Sequence, residues 1–206
     1  GVKVVGVTGS VGKPTTKDMI ALVVAQKYKT LKTQGNHNNE RGMPQTLFGL
    51  DSSYVAAVIE MGMSHQGEIS RMSMSCQPDV AVITNIGISH IENLGTQENI
   101  LKAKLEILDG AAYDAPLILC RDDKLLAGVQ LHSDRKVYYY SVSKKDCNVY
   151  ASGVKTVDNS ITFTINYEGG KIAAQINCLG EHNVKNALAA FCVGLALDIP
   201  PEDIVK

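Results

Sequence analysis

Residues 2–18, VKVVGVTGSVGKPTTKD, change periodicity across a glycine-rich turn. Val2–Val7 is a short β-branched apolar run, suited to a strand buried in a parallel sheet. Gly9, Ser10 and Gly12 form the turn, and from Thr15 to Lys27 the apolar residues Met19, Ile20, Val23 and Val24 recur at helical spacing. Strand, glycine turn and helix in that order aim backbone N–H groups at one point, where the helix macrodipole adds positive charge. Such a point suits phosphate, and Lys13 is placed to reach the outer phosphates of a nucleotide. The spacing departs from the eight-residue Walker A form, because Val7 stands where its first glycine would be. Pro14 departs further, since it has no N–H to offer and biases Lys13 away from the helical region. A helix nevertheless tolerates proline in its first turn, where the N–H lacks an intrahelical partner, so the helix is expected to form.

Working outward, strand-like runs recur at Tyr54–Glu60, Val80–Thr84 and Pro116–Cys120. Helical patterns lie between them at Met43–Leu50, Gly67–Met74 and Gln97–Leu108. This alternation predicts an α/β fold, a mostly parallel sheet flanked by helices, with right-handed crossovers and ligands at the carboxyl ends of the strands. From Val137 the pattern changes. Val137–Val142, Val149–Val157, Ser160–Tyr167 and Lys171–Cys178 alternate apolar with polar residues, and Asp158-Asn159 and Gly169-Gly170 supply turn chemistry. A small antiparallel sheet over about 137–178 is expected. A last helix runs from Glu181 to Leu197 and is broken by Pro200-Pro201.

A formal net charge of −1, with no basic cluster beyond pairs such as Lys144-Lys145, argues against nucleic acid as a partner. No apolar run reaches the roughly 18 residues that cross a bilayer, so no membrane insertion is expected. Cys76, Cys120, Cys147, Cys178 and Cys192 are scattered without paired spacing, which suggests reduced structural thiols and a cytoplasmic setting. The chain enters a strand almost at once and closes on the helix-like PPEDIVK, as expected of a domain cut from a longer protein.

Five stretches carry chemistry, and each alone has a plain alternative. Lys13 suits phosphate, or is a solvated lysine after a glycine turn. Glu60 closes an apolar strand beside the phosphate loop and suits Mg²⁺, or is an ordinary strand-end carboxylate. His90, in TNIGISH, belongs to the same edge, or is structural. Lys104 lies on an amphipathic helix, where lysines are usually solvated. His182, Asn183 and Asn186 share the first turn of the last helix, where amides hydrogen-bond a base or ribose, or cap the helix.

Taken together and in order, these stretches resemble the Mur ligase family, the ATP-dependent amide-forming enzymes of peptidoglycan synthesis, and specifically its central ATP-binding domain over 1–206. The most specific run is KTQGNHNNE at 32–40, followed by Gly42, Pro44, Thr46 and Leu47; with EMGMSHQGEI and TNIGISHIENLG it is similar to the branch that adds D-alanyl-D-alanine to UDP-N-acetylmuramoyl-tripeptide. The resemblance implies a bacterial cytoplasmic ligase serving wall biogenesis, cell shape and division. It implies ATP on Gly9, Ser10, Gly12, Lys13, Thr15 and Thr16, with Asn183 and Asn186 on the adenosine. Two Mg²⁺ ions are implied on Glu60, His90, Lys104 and Thr15, with Lys104 carbamylated by CO₂, and Lys13, Lys104 and His90 serve catalysis. Asn36, Asn38 and Asn39 match the loop facing the sugar-peptide. The reaction implied is phosphorylation of the tripeptide carboxylate and attack of the D-alanyl-D-alanine amine on the acyl phosphate, leaving ADP, with flanking N- and C-terminal domains supplying the rest of the site. At position 14 the family pattern has Thr or Ser, whose hydroxyl helps hold Mg²⁺; Pro14 supplies neither hydroxyl nor N–H. Another ligase of the superfamily, such as a folylpolyglutamate synthase, and a non-catalytic nucleotide-binding module are the alternatives.

Overall fold

A computed structural model describes residues 1–131 and 134–206. The chain runs β1 (Lys3–Thr8), α1 (Lys13–Ala25), β2 (Thr30–Lys32), α2 (Met43–Phe48), β3 (Ala56–Glu60), α3 (Glu68–Cys76) and β4 (Val80–Ile83). It continues through α4 (Ile91–Leu94), α5 (Gln97–Leu105), a 3₁₀ turn (Glu106–Leu108), β5 (Leu117–Cys120), α6 (Lys124–Ala127) and β6 (Val137–Ser141). It ends with β7 (Val149–Val157), β8 (Ser160–Tyr167), β9 (Gly170–Ile176), α7 (Glu181–Ala196) and α8 (Pro201–Ile204).

The nine strands among the described residues form one sheet in the order β2-β3-β1-β4-β5-β6-β7-β8-β9. Pairing is parallel from β2 to β7 and antiparallel only in the β7-β8-β9 meander. One expectation is corrected here. Val137–Ser141 joins the parallel ladder, with Leu117 opposite Val137 and Cys120 opposite Tyr140. The antiparallel part is 149–176 and, as expected, is attached to the parallel ladder, through the β6-β7 pair. Alternating polarity reports partial cover before it reports direction: β6 is half-buried over Val137–Tyr139 although it pairs parallel with β5. The turn at Asp158-Asn159 is in place, whereas the second falls on Glu168-Gly169, one residue early.

The central strands are apolar on both sides because helices cover both faces. β3, β4 and β5 are buried at every position, and β1 at every position after Lys3. Each buried Val, Leu or Ile stabilises by about 1.5–3 kcal/mol. α1 packs on α7, burying Ile20, Val23 and Val24 of the first and Leu188, Phe191 and Cys192 of the second. α3, α5 and the 3₁₀ turn pack together, and Ile107 reaches the Gly6 side of β1. All five cysteines are free thiols. Among the described residues no helix is long and apolar enough to cross a membrane.

Candidate active site

The loop after β1 is shaped by what a side chain would hit. A Cβ on Gly9 would lie 1.9 Å from Thr84 Oγ1, so the end of β4 seals that position against any larger residue. Gly12 holds φ +78° and forms the N-terminal cap of α1, a left-handed conformation that glycine adopts without strain. Lys13 opens the helix, and Pro14 occupies its first turn, where the missing N–H costs no helical bond. Lys13 Nζ folds back to donate to Gly9 O at 2.8 Å. Burial lowers its pKa, and the nearby Glu60 partly offsets this.

Glu60 ends β3 fully buried. Its Oε1 accepts from Asn38 Nδ2 at 2.7 Å, while Oε2 is buried without a partner; Thr8 Oγ1, at the end of β1, is also buried and unpartnered. A buried carboxylate oxygen with no donor is costly unless a cation completes it. Among the described residues no group of three or more His, Cys, Asp or Glu is placed to hold a metal. A hard cation would therefore take few protein ligands here and fill its shell with phosphate and water oxygens, the habit of Mg²⁺. The orphaned Oε2 fits that ion.

His90, with φ +67°, precedes α4 and is exposed. Partial desolvation lowers its pKa, and Lys104 and Lys13 lower it further. Lys104 is 2% exposed on α5, and among the described residues its ammonium has no hydrogen-bond or ion-pair partner. Burial, helped by Lys13, brings its pKa down to about 7. Lys13, Glu60, His90 and Lys104 therefore share one electrostatic neighbourhood, in which Lys13 depresses Lys104 and both depress His90.

The phosphate loop separates two clefts. One, of about 600 Å³, is lined by Lys13, Asn38, Asn39, Glu40, Gly62 and His90, among others. The other, of about 460 Å³, is lined by Gly12, Asn85, Asp122, Tyr140, His182 and Asn186, among others. Asn186 lines the second cleft and also approaches the Thr16 hydroxyl at 2.9 Å, tying α7 to α1. Thr16 is fully buried, with its hydroxyl also 2.9 Å from Gly12 O, whereas Thr15 is exposed on the first turn. Asn183 is held by Leu179 O at 2.7 Å, and its Oδ1 accepts from Asn186 Nδ2 at 3.3 Å. On the first cleft's loop, Asn36 is exposed, Asn38 turns onto Glu60, and Asn39 caps the loop by accepting from Arg41 and Gly42 N–H.

Sequence reasoning passed over Asn85. Its Oδ1 accepts from the N–H groups of Ser10 and Val11 at 3.2 and 3.0 Å, and its Nδ2 donates to Val11 O at 2.8 Å. Ser10 Oγ in turn accepts from Gly87 N–H at 2.8 Å. The segment after β4 thus moulds the phosphate loop. An amide directly after an apolar strand, at the edge where ligands gather, was the available signal.

Residues 7–194 match the Mur ligase middle domain. The UDP-N-acetylmuramoyl-tripeptide–D-alanyl-D-alanine ligase of Bacillus subtilis (strain 168) is 43% identical over 206 residues, 100% of this chain and 44% of that protein. A crystal structure of MurF from Acinetobacter baumannii superposes with a TM-score of 0.92 at 35% identity, covering 100% of this chain and 45% of that one. MurF ligase from Thermotoga maritima in complex with ADP gives 0.88 at 27% identity, covering 100% and 48%. The chain spans about half the length of these relatives. With the phosphate loop, Glu60, His90, Lys104 and the paired asparagines of α7 all inside the matched span, the chain belongs to the Mur ligase family, in its middle domain.

Proposed function

We propose that this chain is the ATP-binding part of a cytoplasmic, ADP-forming ligase that joins D-alanyl-D-alanine to UDP-N-acetylmuramoyl-tripeptide through an acyl phosphate. One observation carries the reading: beside a glycine-rich loop, Lys13 faces the buried carboxylate of Glu60, which keeps a bare oxygen, and also acts on the neighbouring Lys104 and His90. A site where Lys13 lowers the basicity of Lys104 and His90 is completed by a polyanion. The relatives favour the D-alanyl-D-alanine branch over another ligase of the superfamily.

The loop and the first turn of α1 would seat the phosphates, with Lys13 exchanging Gly9 O for a phosphate oxygen. The cleft lined by Asn186 and His182 would take the adenosine, and the cleft lined by Asn38 and Asn39 the tripeptide carboxylate. Glu60, His90 and Lys104 would hold Mg²⁺, with Thr15 exposed nearby on α1. When bound, Mg²⁺ offsets the charge of carboxylate and phosphate as they approach. With its pKa near 7, Lys104 keeps a large neutral fraction at neutral pH, and a neutral amine reacts with CO₂. The neutral amine's lone pair forms the new N–C bond as one C=O π pair of CO₂ moves onto oxygen, an N–H proton leaves to solvent, and the side chain becomes an anionic carbamate suited to a hard cation. The other half of the full-length relatives, in flanking N- and C-terminal domains, would complete the substrate sites.

A second reading, a nucleotide-binding module without catalysis, rests on Pro14, which offers neither N–H nor hydroxyl where phosphate and metal would sit, and the relatives do not favour it. Calorimetry with ATP and Mg²⁺ tests the site. Binding is expected, and Lys13→Ala should weaken it at least tenfold, about 1.4 kcal/mol. The 206-residue chain alone should not ligate D-alanyl-D-alanine. ADP release on extending the chain to the span of its relatives separates ligase from module, and no ATP binding by this chain would reject both.

A further inference from the structure

We propose that Asn38 is a positioning residue for the cation site: its amide holds Glu60 so that one carboxylate oxygen stays bare for the metal. The inference rests on the cation-assisted reading above and assigns Asn38 a task other than contact with the sugar-peptide. Glu60 is fully buried, and among the described residues its side chain makes a single hydrogen bond, the 2.7 Å contact from Asn38 Nδ2 to Oε1. Its backbone N–H is occupied by Thr33 Oγ1 at 3.0 Å, which fixes the main chain but not the carboxylate torsion. Asn38 is therefore what sets the carboxylate plane.

Asn38 is itself anchored. Its carbonyl accepts from Gly62 N–H at 2.6 Å, two residues beyond Glu60. A Cβ on Gly62 would lie 3.3 Å from Asn38 Cγ, so the amide rests against bare backbone. The chemistry also fixes which way the amide faces, because Oδ1 turned onto the carboxylate would set two acceptors against each other. A neutral donor suits the task. A lysine or arginine at this place would hold Glu60 equally firmly but cancel the charge that attracts the cation. Partners that orient a metal ligand are typically worth ten- to a hundredfold in metal affinity.

The test compares binding of the non-hydrolysable ATP analogue AMP-PNP by calorimetry, with Mn²⁺ and in EDTA. In the wild type Mn²⁺ should tighten binding. Asn38→Ala should lose about ten- to a hundredfold of that gain while its affinity in EDTA stays at the wild-type value. In a Glu60→Gln background, Asn38→Ala should have no further effect on the gain, because the residue acts through Glu60. Asn38→Ser, which keeps the backbone bond to Gly62, is read in the same way if the alanine variant does not fold. A Mn²⁺ gain equal to wild type, or an equal loss in EDTA, overturns the role of Asn38 while leaving the site reading intact. No Mn²⁺ gain in the wild type overturns the cation site, and the role of Asn38 with it.

Discussion

Lys104 and Pro14 each set an expectation that one substitution can check. Lys104 has a folded pKa of about 7 against 10.5 for the free side chain. Between those values the unfolded chain holds a proton that the folded protein lacks. Stability from this group therefore rises with pH through that window and falls again as pH drops toward 7, by at most about 1.4 kcal/mol per pH unit. Urea unfolding in CO₂-free buffer at roughly pH 7 and roughly pH 9 should show this rise, and Lys104→Met should flatten it. Equal slopes in the two proteins would exclude the mechanism. Pro14 is exposed in the first turn of α1, so Pro14→Thr should leave the fold intact. The restored N–H and hydroxyl are expected to strengthen nucleotide binding in the presence of Mg²⁺ by about ten- to a hundredfold, measured by calorimetry. An unchanged Kd would show that neighbouring donors already serve the phosphate.

The elements that escaped the sequence are the short ones, and the reason is physical. β2 is three residues of half-buried edge strand, TLK, with too few positions to display a period. α4 and α6 have four residues each, close to a single turn, and are held by their surroundings rather than by propensity, whereas the equally short α8 was legible in the helix-like PPEDIVK. The long buried strands and α7 were legible because their burial leaves an unbroken apolar or helical record. Lys13, Glu60 and His90 were placeable because each follows a readable strand. The contacts among them were not, since Asn38 meets Glu60 and Asn85 meets the phosphate loop across large sequence separations. Glu106 is a further case. It looks like an interior residue of a helix to Leu108, yet α5 gives way to a 3₁₀ turn there. Its carboxylate accepts from Gly67 N–H at 2.8 and 2.9 Å and from Ser70 N–H at 3.3 Å, capping α3 from a distant part of the chain. Glu106→Ala should cost about 1–2 kcal/mol in urea unfolding, as loss of a helix cap does; a cost under about 0.3 kcal/mol would mean water replaces it.

On the scale of the whole molecule, the parallel ladder and the antiparallel meander share a sheet and a covering helix. α7 touches β4, β5, β6, β7 and β9. Phe191 on α7 is 1% exposed and meets Tyr167 of β8 with ring centroids 5.3 Å apart. Phe191→Ala should destabilise by about 3–5 kcal/mol. Tyrosine fluorescence and far-ultraviolet circular dichroism should still give coincident transitions, because no part of the sheet has a core of its own. Two separated transitions would show the meander melting independently. The shared wall between the two clefts has a similar reach. Gly12 and Asn85 border one cleft and Lys13 the other, so a few residues of backbone face both clefts. A guest in either leans on the same partition, and whatever coupling this transmits must by linkage be equal in both directions.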